Sequence, residues 1–258
     1  MQKTPITQIP EEIPTVFLSF LRGAQLYDSS CSPDARVYYI NKEGGFFLKS
    51  APGGTLRSEA AMTRYFHDKG LSAQVLGYES GNRDWLLTAK IPGEDCTHAM
   101  YLEDPIRLCD TTASLLRQLH SLPVPDCPIH HTARYLDTAR RNYRNGRWDP
   151  SLFDDAFSSP EDAWHIAESC APYLKSDTLL HGDYCLPNIL LNNWAFSGFI
   201  DLGNGGLGDR HVDLFWGIWT LRFNLKTDRY TKRFLDVYGR ENVEPEMLRA
   251  VASFEAFG

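Results

Sequence analysis

Residues 179–203 read LLHGDYCLPNILLNNWAFSGFIDLG, and they constrain the chain more than any other stretch. Asp183, Asn188 and Asp201 interrupt short apolar runs at 178–180, 189–191 and 196–200. Runs of that length, bounded by polar and turn residues, read as buried strands. The 183–188 segment is then a tight loop between two strands. Asp201 sits just past a third, where Gly203 is expected to turn the chain away. A lone Asp or Asn ahead of a strand is usually a turn residue. Three together, with HGD before and IDLG after, place two carboxylates and an amide at strand ends that can converge on one small volume. Such a set offers an acceptor for a hydroxyl proton and hard oxygen ligands for Mg²⁺, which are the needs of phosphoryl transfer.

The order H-G-D-x-x-x-x-N, then D-L-G, follows the kinase catalytic loop H-R-D-x-x-x-x-N and its D-F-G. HGDYCLPNIL and SGFIDLG resemble the aminoglycoside phosphotransferases, especially those acting at the 3′-hydroxyl. The likeness covers most of the chain and is strongest over residues 179–214. It implies an α+β, bilobal protein-kinase-like fold with a small antiparallel-sheet N-lobe and a mainly helical C-lobe. The implied domains are a nucleotide-binding lobe at 1–89, a hinge at 90–94 and a helical lobe at 95–258 carrying the catalytic loop and substrate site. Asp183 is the implied catalytic residue, and Asn188 and Asp201 the Mg²⁺ ligands. The implied donor is ATP, with GTP as the alternative, and the implied acceptor is a polycationic aminoglycoside.

The first lobe is expected to hold a short helix at 10–21, strands at 24–27, 37–40 and 46–49, a helix at 55–67, and strands at 74–79 and 84–89. That makes a five-stranded antiparallel sheet with one long helix. Lys49 ends the run Gly45-Phe46-Phe47-Leu48. A lysine closing a buried strand needs an anion to meet. In the kinase pattern it holds the α- and β-phosphates while paired with a glutamate of the next helix. Glu59 is that glutamate, on one face with Met62 and Phe66. The loop DSSCSPDA between the first two strands offers Ser29, Ser30 and Ser32 as phosphate donors, with a plain turn as the alternative. Family alignment assigns adenine contacts to the Ala89 carbonyl and the Ile91 amide.

The second lobe is expected to carry helices at 105–122, 132–145 and 160–173, one beginning near Asp213, and two more at 228–238 and 245–257. Pro123 ends the first, with His120 read as packing or capping. Asp213 resembles the family's brace for the catalytic loop. The resemblance implies acidic contacts to the acceptor from Asp149, Asp154 and Asp155, for which helix capping is the alternative reading. Glu255 and the terminal carboxylate of Gly258 complete that set. One departure stands out: 3′-enzymes usually carry an acidic pair on the helix after Asp213, where this chain has Arg222-Phe223-Asn224.

With 258 residues, 43% of them apolar, the chain can bury a large core. The net charge of −7 disfavours nucleic acid and anionic membrane as partners and suits a cationic small substrate. The six cysteines have no C-x-x-C or zinc spacing and read as reduced packing residues of a cytoplasmic protein. No signal peptide or membrane span is expected, and the chain is a monomer or homodimer. The competing readings are a kinase of the same fold for choline, an amino alcohol or another antibiotic, a protein kinase, and a non-catalytic nucleotide-binding module. The short interval from 201 to 213, with no A-P-E after it, argues against a protein kinase.

Overall fold

The computed structural model describes residues 4–6, 12–31, 35–152 and 157–258. Tertiary contacts divide the chain into two units, Met1–Gly93 with Leu190–Gly203, and Glu94–Ile189 with Asn204–Gly258.

The first unit opens with β1 (Thr4–Ile6) and the single-turn helix α1 (Leu18–Leu21). Then come β2 (Gln25–Asp28), β3 (Arg36–Asn41), β4 (Phe46–Pro52), α2 (Arg57–His67), β5 (Val75–Ser80) and β6 (Arg83–Ala89). They form an antiparallel sheet of six strands in the order β1-β2-β3-β4-β6-β5, one more than expected. The extra strand, Thr-Pro-Ile, is too short and polar to show alternation, and its proline fits only at an edge. The helix expected over 10–21 is a 3₁₀ turn, Thr15–Phe17, running into α1, because Pro14 holds an extended backbone ahead of it.

Strand alternation gives β4 two faces. Leu48 faces a core of Phe17, Ile40, Trp85 and Leu87. Ala51, on the opposite face, packs with Leu56, Ala60 and Leu86, and so meets α2. Lys49 shares that second face, which aims its side chain towards α2. The start of α2 is fixed by the fully buried Asp84 of β6. Its carboxylate accepts from the Gly54 and Leu56 amides, both at 2.9 Å, from the Tyr78 hydroxyl at 3.0 Å and from Ser80 at 2.7 Å. Burial pushes the Asp84 pKa up, but these hydrogen bonds outweigh it and hold the carboxyl below its ordinary range.

The rest of the chain runs through β7 (Glu94–Asp95), the one-turn α3 (Ala99–Leu102), α4 (Pro105–His120), α5 (His131–Arg144) and α6 (Pro160–Cys170). It continues with β8 (Thr178–Leu180), β9 (Ile189–Asn192), β10 (Ala195–Phe199), β11 (Gly206–Gly208), α7 (His211–Leu225), α8 (Thr231–Tyr238) and α9 (Pro245–Glu255). β9 and β10 form a hairpin turned by Asn193 and Trp194, both at positive φ, as a two-residue turn matched to strand twist requires.

In the second unit, α4 begins on an Asp104 cap with Pro105 behind it, and α6 on a Ser159 cap with Pro160. β8 and β11 pair antiparallel, Leu179 opposite Leu207. Leu180, Val212 and Val251 form one core cluster, flanked by Tyr135, Phe215 and Trp216. No helix among the described residues is long and apolar enough to cross a membrane.

Candidate active site

In the first unit, the Lys49 ammonium sits between two carboxylates, 2.8 Å from Glu59 Oε2 and 2.7 Å from Asp201 Oδ1. Burial alone would lower the Lys49 pKa, but Glu59 and Asp201 outweigh it and raise it, so the side chain stays charged. Glu59 is buried, whereas the Asp201 side chain is about half exposed, at 51%. Asp201 itself has φ +59°, so the turn expected of Gly203 is made two positions earlier, by the aspartate that opens the D-L-G run. Asp is one of the few residues that visits this left-handed region readily. The Glu59 side chain is 3.7 Å from where a Cβ on residue 203 would stand, ordinary contact, so Gly203 is not needed for its conformational freedom.

In the loop after β2, the Ser29 amide donates to the Val37 carbonyl at 2.8 Å and the Ser30 amide to Asp28 Oδ1 at 2.8 Å. Ser30 Oγ accepts from the Val37 amide at 2.9 Å. Both serine amides are therefore used inside the loop. Ser32 lies outside the described residues. At the end of β6, the Ala89 amide donates to the Gln74 carbonyl at 3.0 Å. The Ile91 amide has no hydrogen-bond partner among the described residues, and its side chain packs with Ala73 and Leu190.

In the second unit, the loop between β8 and β9 is held from several helices at once. Asp213 of α7 accepts from the His181 amide at 2.8 Å and the Gly182 amide at 2.7 Å. Gly182 has φ +84°, and a Cβ there would lie 2.0 Å from the Asn204 carbonyl oxygen, so only glycine fits. The Tyr184 hydroxyl donates to the Thr112 carbonyl of α4 at 2.8 Å, and the Leu186 amide to Thr220 Oγ1 of α7 at 3.1 Å. Within this frame, Asn188 Nδ2 donates to the Asp183 carboxylate at 2.9 Å and to the Asp183 carbonyl at 3.0 Å. Asp183 is half-buried and Asn188 buried.

His120, expected only to pack or cap, extends the brace. Its Nε2 is 3.1 Å from Asp213 Oδ2 and its Nδ1 is 2.8 Å from the Tyr238 hydroxyl. Burial lowers its pKa despite the nearby carboxylate, so the ring is neutral. With the Tyr238 hydroxyl donating to Nδ1, Nε2–H donates to Asp213. Burial would raise the Asp213 pKa, but the His120 ring and the loop amides hold it low.

The donor chemistry suits a hard cation. Asn188 spends its amide nitrogen on Asp183, which leaves its carbonyl oxygen for a ligand, and Asp201 has a second carboxylate oxygen beyond the one on Lys49. Among the described residues no three His, Cys, Asp or Glu side chains gather as a metal cage. Mg²⁺ in phosphoryl transfer uses one or two carboxylates together with substrate phosphates, so no such cage is needed.

Of the residues expected to meet the acceptor, Glu255 is buried and accepts from the Tyr135 hydroxyl at 2.9 Å. Burial raises its pKa to about 8, with the Asp183 and Asp213 carboxylates adding to the effect. Asp149 is exposed and accepts from the Ser151 amide and hydroxyl at 2.8 and 2.7 Å, while its own amide donates to the Ala256 carbonyl. Exposed Gly258 donates from its amide to the Glu255 carbonyl at 3.0 Å. Asp154 and Asp155 lie outside the described residues. Sequence reasoning passed over Asp84 and Tyr135; the only signal was a polar residue opening the run Asp84-Trp85-Leu86-Leu87.

The sequence profile of a phosphotransferase enzyme family matches residues 33–251. The chain belongs to that family. It is 46% identical over 251 residues to a probable aminoglycoside 3′-phosphotransferase of Lactococcus lactis subsp. lactis (strain IL1403), covering 96% of each chain. In structure, this phosphotransferase is similar to an aminoglycoside-3′-phosphotransferase of type VIII, with TM-score 0.76 and 24% identity over 92% of this chain and 94% of that one. It also matches the aminoglycoside phosphotransferase APH(3″)-Id from Streptomyces rimosus ATCC10970 in complex with ADP and streptomycin, with TM-score 0.72 and 22% identity over 94% and 97% of the two chains. These likenesses fix the fold as the α+β kinase-like one.

Proposed function

We propose that the chain transfers the γ-phosphate of ATP to a hydroxyl of an aminoglycoside antibiotic, the 3′-hydroxyl being the expected position, and so confers resistance in the cytoplasm. The observation that carries this reading is the Asp183–Asn188 pair, held by hydrogen bonds in a loop that Asp213 clamps. The 46% identical relative from Lactococcus supports the same chemistry.

Each residue then has a task. Asp183 orients the acceptor hydroxyl and takes its proton as the oxygen bonds to the γ-phosphorus and ADP departs. Asn188 amide donation fixes which way that carboxylate points. Lys49, kept charged by Glu59 and Asp201, holds the α- and β-phosphates. Ser29 and Ser30 support the loop beside the phosphates, and the Ala89 carbonyl and Ile91 amide take the adenine edge. Asn188 and Asp201 would hold Mg²⁺, which when bound neutralises charge on the phosphates. Little covalent work falls to the protein, so positioning and charge neutralisation dominate. Glu255 is the acidic contact for acceptor ammonium groups, with Asp149 as a further one. A second reading, a kinase for another alcohol, is favoured by the Arg222-Phe223-Asn224 departure.

The test is ADP release with kanamycin, neomycin and choline. Turnover on the aminoglycosides alone is expected. Turnover on choline alone moves the assignment to the second reading. Asp183→Ala should abolish turnover and leave nucleotide binding intact; near-normal turnover would remove Asp183 from its role.

A further inference from the structure

Thr220 is a buried hydroxyl on the largely apolar helix α7. Its oxygen takes two donors. The Leu186 amide of the catalytic loop donates to Thr220 Oγ1 at 3.1 Å. The Asn224 side-chain amide, one turn further along α7, donates to the same oxygen at 3.2 Å and to the Thr220 carbonyl at 2.8 Å. A threonine inside a helix usually turns its hydroxyl back onto the carbonyl one turn earlier. Here the oxygen faces the loop as an acceptor, and Asn224, bonded to both the side chain and the backbone of Thr220, fixes its rotamer.

The Leu186 amide opens the 3₁₀ turn Leu186–Asn188, and a helical turn leaves its first amides without partners of its own. A serine, threonine, aspartate or asparagine just ahead of the turn ordinarily supplies the acceptor. Cys185 holds that place and makes no side-chain cap. Pro187 has no N–H to satisfy. Thr220 therefore does the capping from a helix 34 positions away in the chain. On its other side the turn is held by the Cys96 amide, which donates to the Leu186 carbonyl at 3.1 Å and to the Ile189 carbonyl at 3.0 Å. Asn188 ends the turn, and its side chain donates to the Asp183 carboxylate at 2.9 Å. The cap at one end of a three-residue turn thus sets the side chain at the other. Asn224 cannot be exchanged for an acid without losing both bonds to Thr220, since a carboxylate has no proton to donate.

We propose that Thr220, held by Asn224, is a positioning residue for phosphoryl transfer: it caps the 186–188 turn and so fixes the Asn188 amide that aims Asp183 at the acceptor hydroxyl. The inference rests on the role given to Asp183 and deepens it. Thr220 and Asn224 act through the loop and not on the substrates. Displacing a reacting group by ~1 Å can cost about a hundredfold in rate, so their loss lowers turnover while substrate binding holds.

The experiment uses the full chain with kanamycin and ATP. Thr220→Val keeps the shape of the side chain and removes the acceptor. It should lower kcat about tenfold or more, the factor one hydrogen bond carries, while both KM values stay within about twofold. Thr220→Ser should restore kcat to within about threefold of wild type. Asn224→Asp should lower kcat about threefold or more without lowering the kanamycin KM. A folded Thr220→Val with kcat within about threefold of wild type, or a loss that serine fails to restore, would overturn the inference while leaving the function standing. Should Thr220→Val fail to fold, Asn224→Ala decides by the same measurement, a fall of about threefold or more supporting the inference and an unchanged kcat overturning it. If the wild type phosphorylates no aminoglycoside, that functional reading fails and NMR decides the inference alone. In Thr220→Val the Leu186 amide should then exchange with water about tenfold faster and the Asn188 side-chain amide signal should shift. An unmoved Asn188 signal would overturn the inference.

Discussion

Replacing Glu255 with glutamine removes one ionisable group from a buried site and keeps its shape and an acceptor oxygen. In the native chain this carboxyl is held at about 8 by burial, with the Asp183 and Asp213 carboxylates contributing in the same direction and the Tyr135 hydrogen bond opposing it. In the unfolded chain a glutamate titrates near 4.3. Between those values the folded protein binds a proton that the unfolded chain has released. The protonated side chain therefore favours the fold fully at low pH, and that advantage fades as pH rises through the window. The slope is ~1.4 kcal/mol per pH unit and the full span ~5 kcal/mol. From pH 5.5 to 8.0 the wild type should lose ~3 kcal/mol relative to Glu255→Gln. Urea unfolding of both proteins across that range measures the difference directly, and other titrating groups cancel in the comparison. A polycationic acceptor favours the ionised form, so binding near pH 7 should also release a proton, seen as a buffer-dependent heat that glutamine abolishes. Parallel stability profiles for the two proteins would refute the reasoning, because they would mean the carboxyl is already ionised in the folded state.

Two further substitutions test the supports of the site. Asp213→Asn turns an amide NH₂ towards the donors of His181 and Gly182, and the loss of one charge-assisted bond, ~1.5–3 kcal/mol, should lower kcat roughly 10- to 150-fold with little change in ATP affinity. A kcat within threefold of wild type would show that the loop holds its shape without Asp213. Asp84→Ala leaves the Gly54 and Leu56 amides without their acceptor and should cost ~3 kcal/mol in urea unfolding. A loss below ~0.5 kcal/mol, the size of an ordinary surface change, would mean that Asp84 does not anchor α2.

What could be read in the sequence depended on how far apart the interacting residues are. Asp183, Asn188 and Asp201 lie within one short stretch, and their spacing survives in the strands and loop of the structure. Lys49 and Glu59 were legible because each is a charge on an otherwise apolar face. The braces were not. His120 reaches Asp213 across 93 positions, and Tyr135 reaches Glu255 across 120. Spacing carries no signal over such distances, so His120 looked like the end of an ordinary helix. β1, α3 and β11 escaped because three or four residues cannot show a period. Thr220 of α7 was hidden for the opposite reason. The helix is apolar nearly all round, so the Leu214, Ile218 and Leu221 row looked sufficient and a single hydroxyl did not stand out.

The membership of residues 190–203 in the first unit has a practical result. The chain passes between the two units three times, after positions 93, 189 and 203. A single cut cannot yield both as intact pieces. Cleavage at 93 would strip the amino-terminal fragment of the hairpin that Leu71 and Ser72 receive through Phe199, and of the carboxylate that Lys49 meets at 2.7 Å. Split-reporter or domain-swap engineering of this phosphotransferase therefore has to carry the 190–203 insert with the sheet, for example as a circularly permuted chain, rather than exchange its halves end to end.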